Sequence, residues 1–294
     1  MGSEQKGNVR FIIPMGDHSM KEIVEIREIQ EIQLGALRHL KAICERHGLT
    51  FFLSNGTLLG AVKYKKFIPW DDDIDVFMPR KDYDRLTALS DIDSDVYRLF
   101  NRERCPEWVS TYSKLCDMRT KIQEGSADLG ADYGVAMDIF PLDSWCGGRK
   151  AACRQAAHSS LLLRCLCASC EQSFHTEKTG IRKAILYAIW RYSRLCGTAH
   201  FYKGLRRLVQ KGSGAQTDYM GCVAWSLYGR REVIPAEVFA STVPVEFEGD
   251  SYPAPVGYDQ YLRSLYGEYE ADPPEEEQHP HHHMTAWWRD QETV

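Results

Sequence analysis

Residues 70–78, with the sequence WDDDIDVFM, carry four aspartates into a run of apolar residues. In an extended strand alternate side chains share a face, so we expect Asp71, Asp73 and Asp75 on one side and Asp72 on the other. Three carboxylates on one face repel one another unless a cation lies between them. Hard oxygen ligands at this spacing suit Mg²⁺ or Mn²⁺ better than zinc. The stretch therefore predicts a metal-binding strand, with a solvated acidic turn as the alternative.

Two further features favour the metal-binding interpretation. The segment SNGT at 54–57 lies at a predicted junction of strand and helix, where backbone N–H groups and the helix N-terminus can hold phosphate. Asp138 lies in the apolar run MDIF at 137–140, where an unpaired charge is costly. A glycine turn, a carboxylate pair and a third carboxylate are typical of phosphoryl or nucleotidyl transfer, in which two metal ions stabilise the attacking and leaving oxygens.

The apolar spacing around these motifs predicts an α/β core up to about residue 146. Isoleucine and leucine recur at helical spacing from Met20 to His47, and Gly48 is placed to end that helix. Pro141 is expected to end the last strand of the core. The other predicted elements are strands at 49–53, 74–78 and 137–140 and helices at 57–65 and 79–89.

The chain has 294 residues, of which 44% are hydrophobic and 26% are charged, so it is an ordinary globular protein and neither disordered nor fibrous. A net charge of −5 makes no case for nucleic-acid binding. The charge is nevertheless uneven, because residues 149–211 carry thirteen Lys and Arg but only two acids, while residues 212–294 carry four Lys and Arg and fifteen acids. We therefore expect a catalytic core at 20–148, a basic helical region at 149–211, and a C-terminal segment at 212–294 that completes the same domain.

Longer motifs around the aspartates resemble the LicD/fukutin family. The resemblance implies an α/β (α+β) nucleotidyltransferase-like fold, a small mixed sheet flanked by helices, with the basic helical region as an insertion. It implies an enzyme that moves phosphocholine, or a similar phospho-alcohol, from a CDP-linked donor such as CDP-choline and releases CMP. The acceptor would be a hydroxyl of a surface glycan, such as lipopolysaccharide or teichoic acid, or of its lipid-linked precursor. The matching segments are 28–30 with Leu34, 55–62, 67–76, 78–80 and 138–143, and more loosely 266–267, 273–276 and 281–282.

Two alternatives remain. Another group, such as phosphoribitol or phosphoethanolamine, can be the one transferred. A catalytically idle nucleotide- or glycan-binding relative is the non-enzymatic alternative, which the intact carboxylate cluster disfavours.

The resemblance also implies roles for the carboxylates. Asp73 and Asp75 would be the metal-binding pair for Mg²⁺ or Mn²⁺, expected as two ions, and Asp71 a further ligand. Asp138 would be the third catalytic carboxylate, either as a metal ligand or as the base that takes the acceptor proton. Donor phosphate would contact Gly56, Thr57, Lys114, His281 and His282. For the run HPHHH at 279–283 a zinc site is the alternative.

Aromatic residues in the C-terminal segment are candidates for a cage around a trimethylammonium group, since cation–π attraction is the usual way to hold choline. Ordinary core packing is the alternative for each of them. The four candidates are Trp225, Tyr228, Trp287 and Trp288.

Cysteine usage and topogenic signals indicate the compartment. Ten cysteines without a signal peptide point to a reduced, cytoplasmic protein, with either zinc or plain thiols at the cluster in 153–170. The amphipathic basic stretch at 181–195 suits the inner face of an anionic membrane, whereas a solvated lid or plain structural helices are the alternatives.

Overall fold

The computed structural model describes residues 20–124, 131–212, 217–274, 276, 278–279 and 284–290. Short 3₁₀ helices cover Gly229–Glu232 and Ala236–Phe239. The remaining elements are β1 Lys21–Ile23, α1 Ile26–His47, β2 Phe52–Leu53, α2 Asn55–Tyr64, β3 Asp75–Pro79, α3 Arg80–Ala88, β4 Tyr97–Phe100, β5 Ser113–Asp117, β6 Thr120–Glu124, β7 Ala136–Ser144, α4 Arg149–Cys170, α5 Gly180–Cys196, α6 Thr198–Gly212, β8 Tyr219–Gly221, β9 Ile234–Pro235, β10 Thr242–Phe247, β11 Asp250–Pro255, α7 Tyr258–Tyr266 and β12 Met284–Trp288.

A mixed central sheet with the strand order β2-β3-β7-β5-β4 organises the molecule. Strands β3 and β7 are parallel, and the other neighbouring pairs along this order are antiparallel. Helices α1, α2 and α3 contact these strands, and their apolar sides bury Leu37, Leu58 and Leu86 in the main core. The predicted α/β fold, with a small mixed sheet flanked by helices, is confirmed.

The first helix begins later than its apolar spacing predicts. Helix α1 starts at Ile26 rather than at Met20, because residues 21–23 form an edge strand with β12, in which Ile23 lies opposite Ala286. A partner more than 260 positions away in the chain leaves no local signal. The predicted end is right: Gly48 adopts the left-handed conformation with φ of 58°, and its N–H bonds the carbonyl of Cys44.

The prediction that Pro141 ends a strand is wrong. Strand β7 continues through Pro141 to Ser144, with Pro141 opposite Met78 of β3. Strand β5 pairs with β7 only as far as Ile139, so the imide nitrogen of the proline removes no ladder hydrogen bond on that side. The strand is therefore long enough to connect the core to β8.

The basic region forms three helices, as its composition predicts. Helices α4 and α6 pack on each other and close over Trp145 and Val233. The C-terminal segment returns to the core through α7, where Tyr261 packs edge-on against Phe77 at a centroid distance of 5.9 Å. None of the helices in the described part of the chain combines the length and the apolar character needed to span a membrane.

Candidate active site

A cavity of about 720 Å³ opens where β3 and β7 begin, beside the first turn of α2. Its wall is formed by the aspartate stretch, by Asp138 of β7 and by residues of the C-terminal segment. Residues of the predicted catalytic core and of the C-terminal segment therefore line the same cavity.

Four aspartates, from the aspartate stretch and from β7, line this cavity. Asp71, Asp73 and Asp75 all line it, whereas Asp72 is not among the described residues in its wall. Asp75 opens β3 and lies opposite Asp138 in the parallel ladder, so a carboxylate of each strand stands at the same level of the sheet. The alternation of side chains survives although residues 71–74 lie outside the strand, which starts one residue later than predicted.

The carboxyl group of Asp75 is under electrostatic strain. Burial raises its pKa well above the usual aspartate range, and the negative charges of Asp73, Asp138 and Asp71 raise the pKa further. The Asn55 amide opposes them by donating a hydrogen bond to Asp75 Oδ2 over 3.1 Å. The cluster therefore disfavours a full set of ionised carboxylates unless cations bind.

Two buried glutamines of α1 fix the backbone of the aspartate stretch. The Gln30 side-chain amide donates to the carbonyl of Asp71 over 2.8 Å. The Gln33 amide donates to the carbonyls of Asp72 and Ala136, each over 3.0 Å. The sequence reasoning missed both residues, although two glutamines three positions apart on the buried side of an amphipathic helix were a usable signal.

The SNGT turn supports the cavity floor. Asn55 has a positive φ of 46°, and the hydroxyl of Tyr261 donates to its side-chain oxygen over 2.8 Å. The Thr57 hydroxyl accepts the backbone N–H of Asp75 over 2.8 Å and is buried beneath the cavity. Gly56 lines the cavity directly, whereas Thr57, also predicted to contact donor phosphate, is not among the described residues in its wall.

Gly56 touches the aspartate cluster so closely that we expect an alanine there to impair activity. A Cβ at Gly56 would lie 2.4 Å from Asp71 Oδ2, so the carboxylate has to move. A displacement of about 1 Å at a reactive site can cost about a hundredfold in rate. We therefore expect Gly56→Ala to lower the steady-state turnover rate about a hundredfold.

The matched control is Gly148→Ala, where the new methyl group meets nothing within 4 Å. It should leave the rate unchanged. Equal rates for Gly56→Ala and the unmodified protein would show that Asp71 needs no fixed position.

Lys114 meets the third carboxylate. It lies opposite Asp138 in the antiparallel pair of β5 and β7, and its Nζ is 2.8 Å from Asp138 Oδ1. Both side chains are largely buried, at 8% and 13% exposure. The lysine predicted to contact phosphate therefore supplies a positive charge at the carboxylate cluster itself.

Aromatic side chains form a further part of the cavity wall, which we call the aromatic wall. Trp225 and Tyr228, two of the four cage candidates, line the cavity together with Tyr112, Phe140 and Tyr266. Trp225 packs edge-on against Tyr112 at 4.8 Å, and Tyr228 against Tyr266 at 5.9 Å. The sequence did not point to the last three as aromatic candidates, because only the folded chain brings them into the wall of this cavity.

The other two cage candidates lie elsewhere. Trp287 and Trp288 belong to β12, in the three-stranded sheet β1-β12-β6, and are not among the described residues that line the cavity. The Trp288 indole N–H donates to the carboxylate of Glu28 over 2.7 Å. The predicted phosphate contacts His281 and His282 fall outside the described residues.

A buried glutamate holds the loop that carries Tyr228. Burial raises the pKa of Glu232 to about 8, and its Oε1 accepts the backbone N–H of Tyr228 over 2.6 Å. Sequence reasoning did not single out this residue. Its contact fixes the backbone of the aromatic wall.

The aspartates of this cavity are candidate ligands for a metal ion. Across the described residues, no three His, Cys, Asp or Glu side chains are grouped closely enough to hold an ion as they stand, and this applies to the cysteine cluster as well. Mg²⁺ is usually held by one or two carboxylates, with waters and substrate phosphates completing its shell. The mutual repulsion at Asp75 and the all-oxygen donor set of Asp73 and Asp75 fit that mode of binding.

This chain is similar to a known protein over most of its length. A family model described as LicD/FKTN/FKRP, nucleotidyltransferase domain, matches residues 48–142. The chain is 32% identical over 276 residues to the lipopolysaccharide cholinephosphotransferase LicD of Haemophilus influenzae, a match that covers 91% of this chain and 99% of that protein. The family-model match contains the aspartate stretch, Lys114 and Asp138, and the longer match also takes in most of the basic helical region.

Proposed function

The chain belongs to the LicD family, and from that membership we propose that it transfers phosphocholine from CDP-choline to a hydroxyl group of a glycan or its lipid-linked precursor, with release of CMP. One observation carries the proposal: a single cavity joins a carboxylate cluster to an aromatic wall. The name of the Haemophilus relative, a lipopolysaccharide cholinephosphotransferase, supports both the transferred group and the glycan acceptor.

The cavity offers groups for both parts of the donor. A trimethylammonium group would pack against the faces of Trp225 and Tyr228, where cation–π attraction replaces its hydration. Phosphoribitol has no cation to use such a wall, so the wall favours a choline-like alcohol.

The carboxylate cluster requires cations to accept a diphosphate. Asp71, Asp73, Asp75 and Asp138 line the cavity, and Lys63, a cavity lysine, is already bound to Asp272 over 2.7 Å. A dianionic diphosphate would be repelled by this surface. Mg²⁺ on Asp73 and Asp75 would, when bound, neutralise the diphosphate and stabilise the charge on the departing CMP.

The residues of the chain would position the remaining reactants. The hydroxyl of the acceptor attacks the choline-bearing phosphorus, a new P–O bond forms, and the bond from that phosphorus to the oxygen of CMP breaks. In this scheme Asp138 takes the proton of the acceptor hydroxyl, and Lys114, whose Nζ lies 2.8 Å from Asp138 Oδ1, holds the carboxylate in place. The Gly56 turn supports the donor phosphates next to α2.

A donor panel tests the proposal. The full chain is incubated with Mg²⁺, a lipopolysaccharide acceptor and, in turn, CDP-choline, CDP-ethanolamine or CDP-ribitol, and CMP is quantified by chromatography. We expect CDP-choline to give the highest rate. Preference for CDP-ribitol would overturn the choline assignment, and no CMP from any donor would favour a binding protein without transferase activity.

The aromatic wall gives a sharper prediction. Trp225→Leu keeps apolar bulk but removes the π face, so the KM for CDP-choline should rise about five- to thirtyfold, the equivalent of about 1 to 2 kcal/mol of cation–π attraction. Steady-state kinetics with varied donor measure it.

The corresponding control is Trp287→Leu on β12, which should leave the KM unchanged. The same rise in both variants, or none in Trp225→Leu, would show that the wall does not bind the alcohol.

A further inference from the structure

Helix α5 exposes an unusual amount of apolar surface. Of the eleven large apolar side chains that are exposed in the described part of the chain, six belong to this one helix. Ser193 is its buried residue. The six are Ile181, Ile185, Leu186, Tyr187, Tyr192 and Leu195.

Four of these side chains form a continuous stripe together with Ala188. Ile181, Ile185, Ala188, Tyr192 and Leu195 follow one another at steps of four, three, four and three residues, which places them on one side of a helix. All five are exposed, and Ile181 and Leu195 reach 78% and 79%. We name this set the α5 stripe.

The neighbouring helices show the opposite arrangement. Helix α4 buries Cys165 and Leu166, and α6 buries Phe201 and Leu205, in the contacts among the three helices. Helix α5 joins this cluster through Ile189 and Cys196, which border the stripe, and Tyr192 of the stripe packs edge-on against Phe201 at a centroid distance of 6.2 Å. Ile181, Ile185 and Leu195 are not among the residues of this cluster, so the exposed part of the stripe is not needed to hold the three helices together.

The charge of the surroundings selects the occupant. Residues 149–211 carry thirteen Lys and Arg against two acids, and Arg182, Lys183 and Arg191 are exposed on α5 itself. A second copy that docked through its own α5 would bring the same positive charge to the stripe and be repelled. An anionic lipid surface offers both negative headgroups and an apolar layer for Ile and Leu.

We propose that α5 is a membrane-docking helix, which lies in the interface of an anionic bilayer with the α5 stripe inserted. The inference goes beyond the transfer reaction and does not depend on it. The bilayer contact would also be tied to the cavity through α4, because Arg194 of α5 donates to the carbonyl of Ser169, and Ser160 donates to the carbonyl of Ser226 beside the cavity loop.

Vesicle sedimentation of the full chain tests the proposal. We expect binding to vesicles that mix phosphatidylglycerol with phosphatidylcholine, weak binding to pure phosphatidylcholine, and release at high salt. The triple variant Ile181→Ser, Ile185→Ser and Leu195→Ser should lose at least about tenfold in affinity, since each inserted side chain contributes to burial.

The matched control changes exposed apolar residues on other parts of the surface. Val24→Ser with Val256→Ser, at sites 76% and 44% exposed, should sediment like the unmodified chain. Equal binding by the stripe variant, or no preference for anionic lipid, would overturn the proposal. Light scattering supplies a further test. A dimer that dissociates when the stripe is substituted, together with no binding to vesicles, would also overturn the proposal.

Discussion

Asp75→Asn is expected to lower the rate of CMP release about a thousandfold, the scale of losing one charge-stabilising group in an active site, while the protein stays folded. Asp75 is the buried carboxylate at the start of β3 that faces Asp138. An asparagine retains an oxygen that can accept the Asn55 amide, and the backbone N–H of residue 75 still reaches Thr57. The substitution therefore removes the charge and leaves the local contacts in place.

The difference in stability between Asp75→Asn and the unmodified chain should depend on pH in a defined direction. The pKa of Asp75 is raised in the folded state, so the proton stabilises the fold at low pH, and the metal-free chain loses that stability as the pH rises through the raised pKa. Asp75→Asn has no such proton to lose. Its melting temperature without metal should exceed that of the unmodified chain by a margin that grows with pH.

The control is Asp91→Asn. Asp91 is an exposed carboxylate whose pKa is lowered by hydrogen bonding to His47 and Arg46, so the substitution should keep full activity and gain no stability at high pH. An Asp75→Asn protein that remains active would contradict the proposed site. One that unfolds at all pH values would show that the carboxylate is structural.

Chelation is expected to have an effect of similar size. Protein treated with a chelator should release CMP at least about a thousandfold more slowly, because the acidic cavity repels the diphosphate, and Mg²⁺ should restore the rate. Without any donor present, Mg²⁺ at about 100 times its Kd should stabilise the chain by about 2.7 kcal/mol, measured as a rise in the melting temperature. This rise should increase with pH, since the ion competes with the proton on Asp75.

The variant Asp75→Asn separates this binding from general salt effects. Its melting temperature should respond little to Mg²⁺, whereas Asp91→Asn should respond like the unmodified chain. Full turnover in the presence of chelator, or an equal response in both variants, would remove the metal from the proposal.

How far the sequence leads depends on the range of the contact. The alternation in residues 70–78 is local, so the shared orientation of Asp71, Asp73 and Asp75 could be predicted. The joining of Asp75 to Asp138 also followed from their positions in apolar strands, although only the structure shows that they lie opposite each other. Lys114 was expected at phosphate, but the antiparallel pairing of β5 and β7 places it against Asp138.

Contacts across long stretches of chain were out of reach. The pairing of residues 21–23 with β12 replaced the first turn of a predicted helix, and the same pairing placed Trp287 and Trp288 in another sheet. Tyr112, which precedes β5, and Tyr266, at the end of α7, line the same cavity as Trp225 although they are far apart in the chain. None of these placements changes a local pattern, so hydrophobic spacing carries no trace of them.

The proposed reaction breaks one particular bond of the donor, the one between the choline-bearing phosphorus and the oxygen of CMP. A phospho-alcohol transferase and a nucleotidyltransferase of the same fold would act on different phosphorus atoms of CDP-choline and leave different products. The most direct measurement is ³¹P NMR of the full chain with Mg²⁺, CDP-choline and the lipopolysaccharide acceptor, with Asp75→Asn in parallel. We expect CMP together with phosphocholine attached to the glycan from the unmodified chain, and neither product from Asp75→Asn. Free phosphocholine with a cytidylylated glycan, or the same products from Asp75→Asn, would contradict the proposed function.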